Sequence, residues 1–206
     1  MTQSPTQLGD TTKSERMSRG MGSIRACAMP HNLVNATGFC DARGVSSAKL
    51  MTNPSDLLPR LATLRAAGKT IVFGNGCFDI IHVGHVRYLQ AARALGDVLI
   101  IAVNTDESVR LGRPERLPVN SARERMEVLA ALESVDFVVP LAERLPNALL
   151  ELYKPHIQAK GTDYTMDMMP ERVVIEAYGG RIVFVGDEKT HSSTALREAL
   201  VERRKN

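Results

Sequence analysis

Five short apolar runs, TIVFG (70–74), DVLIIAVN (97–104), DFVVP (136–140), HIQAKG (156–161) and RIVFVG (181–186), are separated by segments with helical periodicity. DVLIIAVN is apolar almost without interruption, and a strand reads that way when both of its faces are covered. Between the runs, GHVRYLQAARALG (84–96), SARERMEVLAALES (121–134), PNALLELY (146–153) and PERVVIEAYGG (170–180) read as helices. NPSDLLPRLATLRAAG (53–68) precedes the first run with Leu57, Leu58, Leu61 and Leu64 at helical spacing, and SSTALREALVERR (192–204) follows the last. Helix boundaries carry their own signals. Ser121 and Glu124 are spaced as a capping box, Pro146 and Pro170 sit in first turns, and Gly68, Gly96, Gly179 and Gly180 stand at ends. Strand and helix in alternation imply right-handed crossovers, so the expected fold is α/β, a Rossmann-like, doubly wound parallel sheet of five strands.

Ligands of such sheets bind beyond the carboxyl ends of the strands, near the switch in strand order. The segments that leave the strands are NGCFDIIHVGH (75–85), NTDESVRLGRPERLP (104–118), KGTDYTMD (160–167) and GDEKTHSS (186–193), so the polar and histidine-bearing residues gather at one end.

Residues 1–52 break the pattern: they are rich in Ser, Thr, Gly and Asn and lack a helical or strand period. They are expected to form a flexible extension, leaving residues 53–206 as a single domain. Six basic and three acidic side chains lie in the extension, so the net charge of +3 belongs to it and the body is balanced. A balanced body lacks the positive field on which broad nucleic-acid binding depends, and no nucleic-acid partner is expected. No run approaches the about 18 apolar residues of a membrane span, so no membrane partner is expected either. Three cysteines, Cys27, Cys40 and Cys77, show no CxxC spacing. They fit a reducing, cytoplasmic location.

His82 and His85 admit four readings. Zinc needs three or more protein ligands, and Asp79 and Cys77 nearby form no known metal spacing, so no protein metal site is assigned. Cys77 as a nucleophile has nothing to distinguish it from a small buried residue. Core packing suits either histidine alone. Phosphate binding explains more residues together: Gly84 leaves a helix start bare, where free N–H groups and the helix dipole attract anions. Imidazole donors would add to them as charge develops. Gly74 and Gly76 would keep the incoming turn tight and close to the ligand.

GCFDIIHVGH resembles the GxFDxxHxGH signature of cytidylyltransferase-like nucleotidyltransferases, and HSSTALR resembles their second motif. The longer stretches GNGCFDIIHVGHVRYLQAARALGDVLIIAVNTDESVR, ERMEVLAALESVDFVV, KGTDYT and AYGGRIVFVGDEKTHSSTAL are similar, in order, to the D-glycero-β-D-manno-heptose 1-phosphate adenylyltransferase family. That resemblance implies transfer of AMP from ATP to a sugar 1-phosphate, with pyrophosphate released and ADP-heptose formed. The alternatives within reach are a cytidylyltransferase for glycerol 3-phosphate or a similar small phosphomonoester, and a nucleotide-binding module without catalysis.

The resemblance also implies roles. His82, His85 and Lys160 are the expected catalytic residues. Gly76, Cys77, Phe78, Gly84, Asp163, Ser192, Ser193, Thr194 and Arg197 are expected at the nucleotide, and Asn104, Asp106 and Arg110 at the acceptor. Mg²⁺ is the expected cofactor, carried on the ATP phosphates. ATP, a sugar phosphate and a separate sugar kinase chain are the expected partners. Homodimers are common in the superfamily, so a homodimer is among the assemblies expected. The chain departs from the heptose family at LGRPERLP and at KGTDY, both on the acceptor side.

Overall fold

All five apolar runs are strands, and they pair in parallel in the order third, second, first, fourth, fifth along the chain. The structure, a computed structural model, describes residues 48–112, 114–115 and 117–187 together with Leu196, Ala199 and Glu202. They belong to one compact unit, Ala36–Asn206. The elements are α1 (Leu58–Ala66), β1 (Ile71–Gly76), α2 (Val83–Arg93), β2 (Val98–Asn104), α3 (Asp106–Gly112), α4 (Ala122–Ala130), β3 (Phe137–Leu141), α5 (Asn147–Tyr153), β4 (Ile157–Gly161), α6 (Arg172–Ala177) and β5 (Arg181–Val185). Short 3₁₀ turns cover Pro54–Leu57 and Met166–Met168.

Side-chain alternation divides the core into two layers. Val72, Leu99, Ile101, Val103, Val138, Ile157 and Ala159 pack with Leu89 of α2 and Met126 and Leu129 of α4. Ile71, Phe73, Ile100, Ala102, Val139 and Leu141 pack on the other face with Leu61 of α1, Leu149, Leu150 and Tyr153 of α5, and Ile175 of α6. The crossovers on either side of β1 therefore run on opposite faces, which makes the fold a Rossmann-like doubly wound sheet with its switch between β1 and β4.

Local chemistry sets the boundaries. Ser121 and Glu124 form the capping box: Glu124 Oε2 accepts the Ser121 N–H at 2.9 Å, and the Ser121 side chain accepts the Glu124 N–H. Gly68, at φ 70, takes the left-handed turn that stops α1. His156 Nδ1 accepts the Ile71 N–H at 2.9 Å and ties the entry of β4 to that of β1. Two readings differ from the structure. Asp106–Gly112, within a stretch expected as loop, forms α3. Lys49–Met51, assigned to the extension, lies along β3: Met51 N donates to Val138 O and Val138 N donates to Lys49 O, both at 2.9 Å. Lys49 Nζ also donates to the carbonyls of Leu132 and Val135, in the segment between α4 and β3. No helix among the described residues is long and apolar enough to cross a membrane.

Two carboxylates give the fold an acid-sensitive element. The Thr70 N–H, then Lys69, hold the Asp97 carboxyl below its ordinary 3.8, and the Ser121 hydroxyl and N–H hold Glu124 below 4.5. Both are solvent-facing, so each effect is small. Because the folded values are depressed, their contribution is complete above the unfolded values and is lost as pH falls through the folded ones. Urea titrations between about pH 6 and about pH 3 should show a falling midpoint, with a shallower fall in D97N/E124Q. An identical slope in the variant would remove these two groups from the account.

Candidate functional site

β1 leads into a turn of unusual backbone. Phe78 stands at φ 51, a left-handed conformation that costs a non-glycine residue about 1–3 kcal/mol and persists only where its surroundings enforce it. Several contacts do so. The Phe78 ring is buried, 5.3 Å between centroids from His85 and 6.3 Å from Tyr88. Asp79 Oδ1 accepts the N–H groups of Val119 at 2.7 Å and Asn120 at 3.0 Å, and Asn120 Nδ2 donates back to Asp79 O. Arg125, 1% exposed, donates from Nη1 to Cys77 O, from Nε to Asn120 O at 3.1 Å and from Nη2 to Asp106 Oδ1 at 2.7 Å.

Gly74 and Gly76, late in β1, leave room for neighbouring rings. A Cβ on Gly76 would stand 3.0 Å from the Phe78 ring, and one on Gly74 would stand 2.5 Å from the Tyr88 hydroxyl. That hydroxyl donates to Ala159 O at 3.0 Å and joins α2 to β4. Burial pushes the Tyr88 phenol well above its usual range, so it remains protonated and a donor. Gly74 thus makes room for Tyr88.

Beyond the turn, His82 is the N-cap of α2, with extended backbone at φ −140° and ψ 170°, and its side chain makes no cap bond. One helical turn on, His85 stacks on it: the rings are 3.9 Å apart and 24° from parallel. Both are half-buried, with their Nδ1 atoms shielded from solvent. Gly84 lies between them in the first turn, where the His85 N–H donates to His82 O at 2.9 Å and the N–H groups of Val83 and Gly84 come before the first intrahelical acceptor. The two imidazoles thus share one place with the bare helix start.

Lys160 is placed differently. It ends β4 on the α6 side, since Ile157 and Ala159 face the layer that holds α2 and Lys160 alternates with them. Its ammonium is buried, 2.7 Å from Glu171 Oε1 and 2.9 Å from Asn75 Oδ1, with the Tyr164 ring 5.6 Å away. Gln158, fully buried, donates to the same Glu171 oxygen at 3.2 Å.

The acceptor candidates cluster at the start of α3. Asn104 Nδ2 donates to Ser108 Oγ at 3.0 Å. Asp106 is half-exposed; one oxygen takes Arg125 and the other the Ala122 N–H at 3.2 Å. Arg110 is exposed and pairs with Glu107 at 2.5 Å on the same helix, an ion pair of at most about 0.5 kcal/mol that leaves its charge open to a phosphate. Asp163 lies in the exposed loop after β4; its Oδ1 would be 2.6 Å from a Cβ on Gly161. Ser192, Ser193, Thr194 and Arg197 lie outside the described residues. Among the described residues, no three His, Cys, Asp or Glu side chains gather as metal ligands.

Sequence reasoning passed over Arg125, Glu171, Gln158 and Asn75. Arg125 carried a signal, because it stands four residues before Leu129 and beside Met126 on an apolar stripe.

Residues 73–199 match the model of the cytidylyltransferase-like family. Similar curated proteins include bifunctional protein HldE of Pelobacter propionicus, 41% identical over 174 residues, which cover 84% of this chain and 35% of that protein. HldE of Geobacter sulfurreducens is 40% identical with the same coverages, and HldE of Ectopseudomonas mendocina is 47% identical over 70% of this chain and 30% of that protein. The chain thus spans 30 to 35% of the length of these relatives. Among solved structures, the lipopolysaccharide core biosynthesis protein from Thermoplasma volcanium GSS1 aligns at TM-score 0.52 and 28% identity, over 57% of this chain and 97% of that one.

Proposed function

Because the chain belongs to the cytidylyltransferase-like family, we propose that it is a nucleotidyltransferase that moves AMP from ATP to a sugar 1-phosphate, heptose 1-phosphate, giving ADP-heptose and pyrophosphate. The observation that carries this reading is the stacked His82–His85 pair at the bare start of α2, beyond the carboxyl end of β1. Similarity to proteins named HldE, and to one named for lipopolysaccharide core biosynthesis, supports the sugar phosphate as acceptor. The product would then feed a cell-surface glycolipid.

In this reading an acceptor phosphate oxygen attacks the α-phosphorus and pyrophosphate leaves in line. No general base is required, since a phosphate monoester with a second pKa of about 6 is already largely dianionic at neutral pH. Catalysis is then positioning and charge neutralisation. His82, His85 and the first N–H groups of α2, including that of Gly84, would hold the triphosphate, while the Cys77–Phe78 turn, beginning at Gly76, would meet the nucleotide with its backbone. Asp163, Ser192, Ser193, Thr194 and Arg197 would complete the nucleotide site, and Asn104, Asp106 and Arg110 would face the acceptor. Mg²⁺ fits this residue set as an ion held by phosphate oxygens and water, which needs no protein cage. When bound it neutralises triphosphate charge.

Pyrophosphate release measured over ATP and CTP, each with heptose 1-phosphate and glycerol 3-phosphate, tests the proposal. Turnover is expected with ATP and heptose 1-phosphate. Turnover with CTP and glycerol 3-phosphate alone would overturn it.

A further inference from the structure

Lys160 and Glu171 close a buried polar cluster at the carboxyl ends of β1 and β4, where the strand order switches. Glu171 Oε1 accepts from both Lys160 and Gln158, and Asn75 Oδ1 accepts from Lys160 and, at 3.4 Å, from Gln158. Asn75 lies two residues before Cys77, so the cluster is joined by backbone to the turn that enters α2. Its formal charges sum to zero. A buried ion pair is a poor device for stability, since apolar residues of the same volume commonly do as well. Its position at the carboxyl ends of β1 and β4, where the proposed function places the nucleotide, supplies another use.

Resting on the nucleotidyl-transfer reading, we infer that Glu171 is a positioning residue: it fixes the Lys160 ammonium at the end of β4 and, by cancelling its charge, sets how strongly this side of the crevice attracts polyphosphate. Glu171→Gln keeps an oxygen that can accept from Lys160 and Gln158 but removes the countercharge. Lys160→Met leaves the carboxylate uncompensated, and the double variant is neutral again. These three changes separate charge from shape.

The full chain and its variants are titrated calorimetrically with AMP, ADP and a non-hydrolysable ATP analogue, at low and at high salt. E171Q should bind the ATP analogue about tenfold more tightly, ADP less so and AMP least, with the gradient flattened by salt. K160M should weaken binding in the same graded order, and K160M/E171Q should return to a gradient like that of the parent. If K160M fails to fold around its unpaired carboxylate, E171Q against the neutral double variant still decides. A merely structural role moves the three nucleotides by one common factor, or not at all, and that result overturns the inference while parent binding and turnover stand. A parent chain that binds none of the nucleotides and releases no pyrophosphate overturns the functional reading, and this inference with it.

Discussion

Alanine at His85 lowers kcat with ATP and heptose 1-phosphate by about 10²- to 10³-fold, the cost of removing one preorganised donor from developing charge. The imidazole stands on the first turn of α2, stacked 3.9 Å from His82, so its direction is fixed before substrate arrives. A donor of that kind acts mainly in the transition state, and KM should move far less than kcat. The structural cost is smaller. His85 is half-buried and contributes a ring contact to Phe78, worth about 1 kcal/mol, so the melting temperature falls by a few degrees only. Asparagine at position 85, which keeps a donor, should recover part of the rate. Stopped assays for pyrophosphate alongside thermal melts check both halves. A near-normal kcat would take His85 out of the chemistry, and a collapsed melt would make it a packing residue.

Methionine at Arg125 is expected to cost about 3–5 kcal/mol, the range for breaking a buried charged network. The guanidinium spans three otherwise separate segments: Cys77 O in the strained turn, Asn120 O before α4, and Asp106 at the start of α3. Removing it takes the donor from two partly buried carbonyls and releases the turn that Phe78 occupies at unfavourable φ. Melting should fall by on the order of 10 °C, with turnover falling further than residual folding explains. Lysine should not rescue, because a single ammonium cannot reproduce a fork that reaches three acceptors. Asp106→Asn is the control. Asparagine keeps an oxygen that can accept from Arg125 and removes only the countercharge of the buried guanidinium, so the loss should be smaller than in R125M, about 1–3 kcal/mol. Equal losses in R125M and D106N would reduce the network to a single pair.

Sequence alone located the strands because burial on both faces leaves an uninterrupted apolar run, and β2 shows it from Val98 to Val103. It found the start of α4 because a capping box requires two residue types three apart, Ser121 and Glu124. It missed α3 because seven residues with only Ser108 buried carry too little apolar pattern for a period. Nor does the order of residues reveal which partner a buried charge has chosen. Lys160 is legible as a cation near the end of the fourth strand, but its neutralisation by Glu171 depends on how α6 packs. Arg125 sits where a core residue belongs, and its charge hid it among surface arginines. Both gaps have one origin: periodicity reports which face a side chain takes, whereas pairing across elements is decided by the tertiary fold.

The strip of backbone at Lys49–Met51 covers part of the outer margin of β3. An uncovered strand margin is a template on which another molecule can add a strand, so this strip also guards against self-association. Trimming the chain to begin at residue 53, which the sequence pattern alone would invite, would strip that guard and favour aggregation even though every residue of the proposed nucleotide crevice remained.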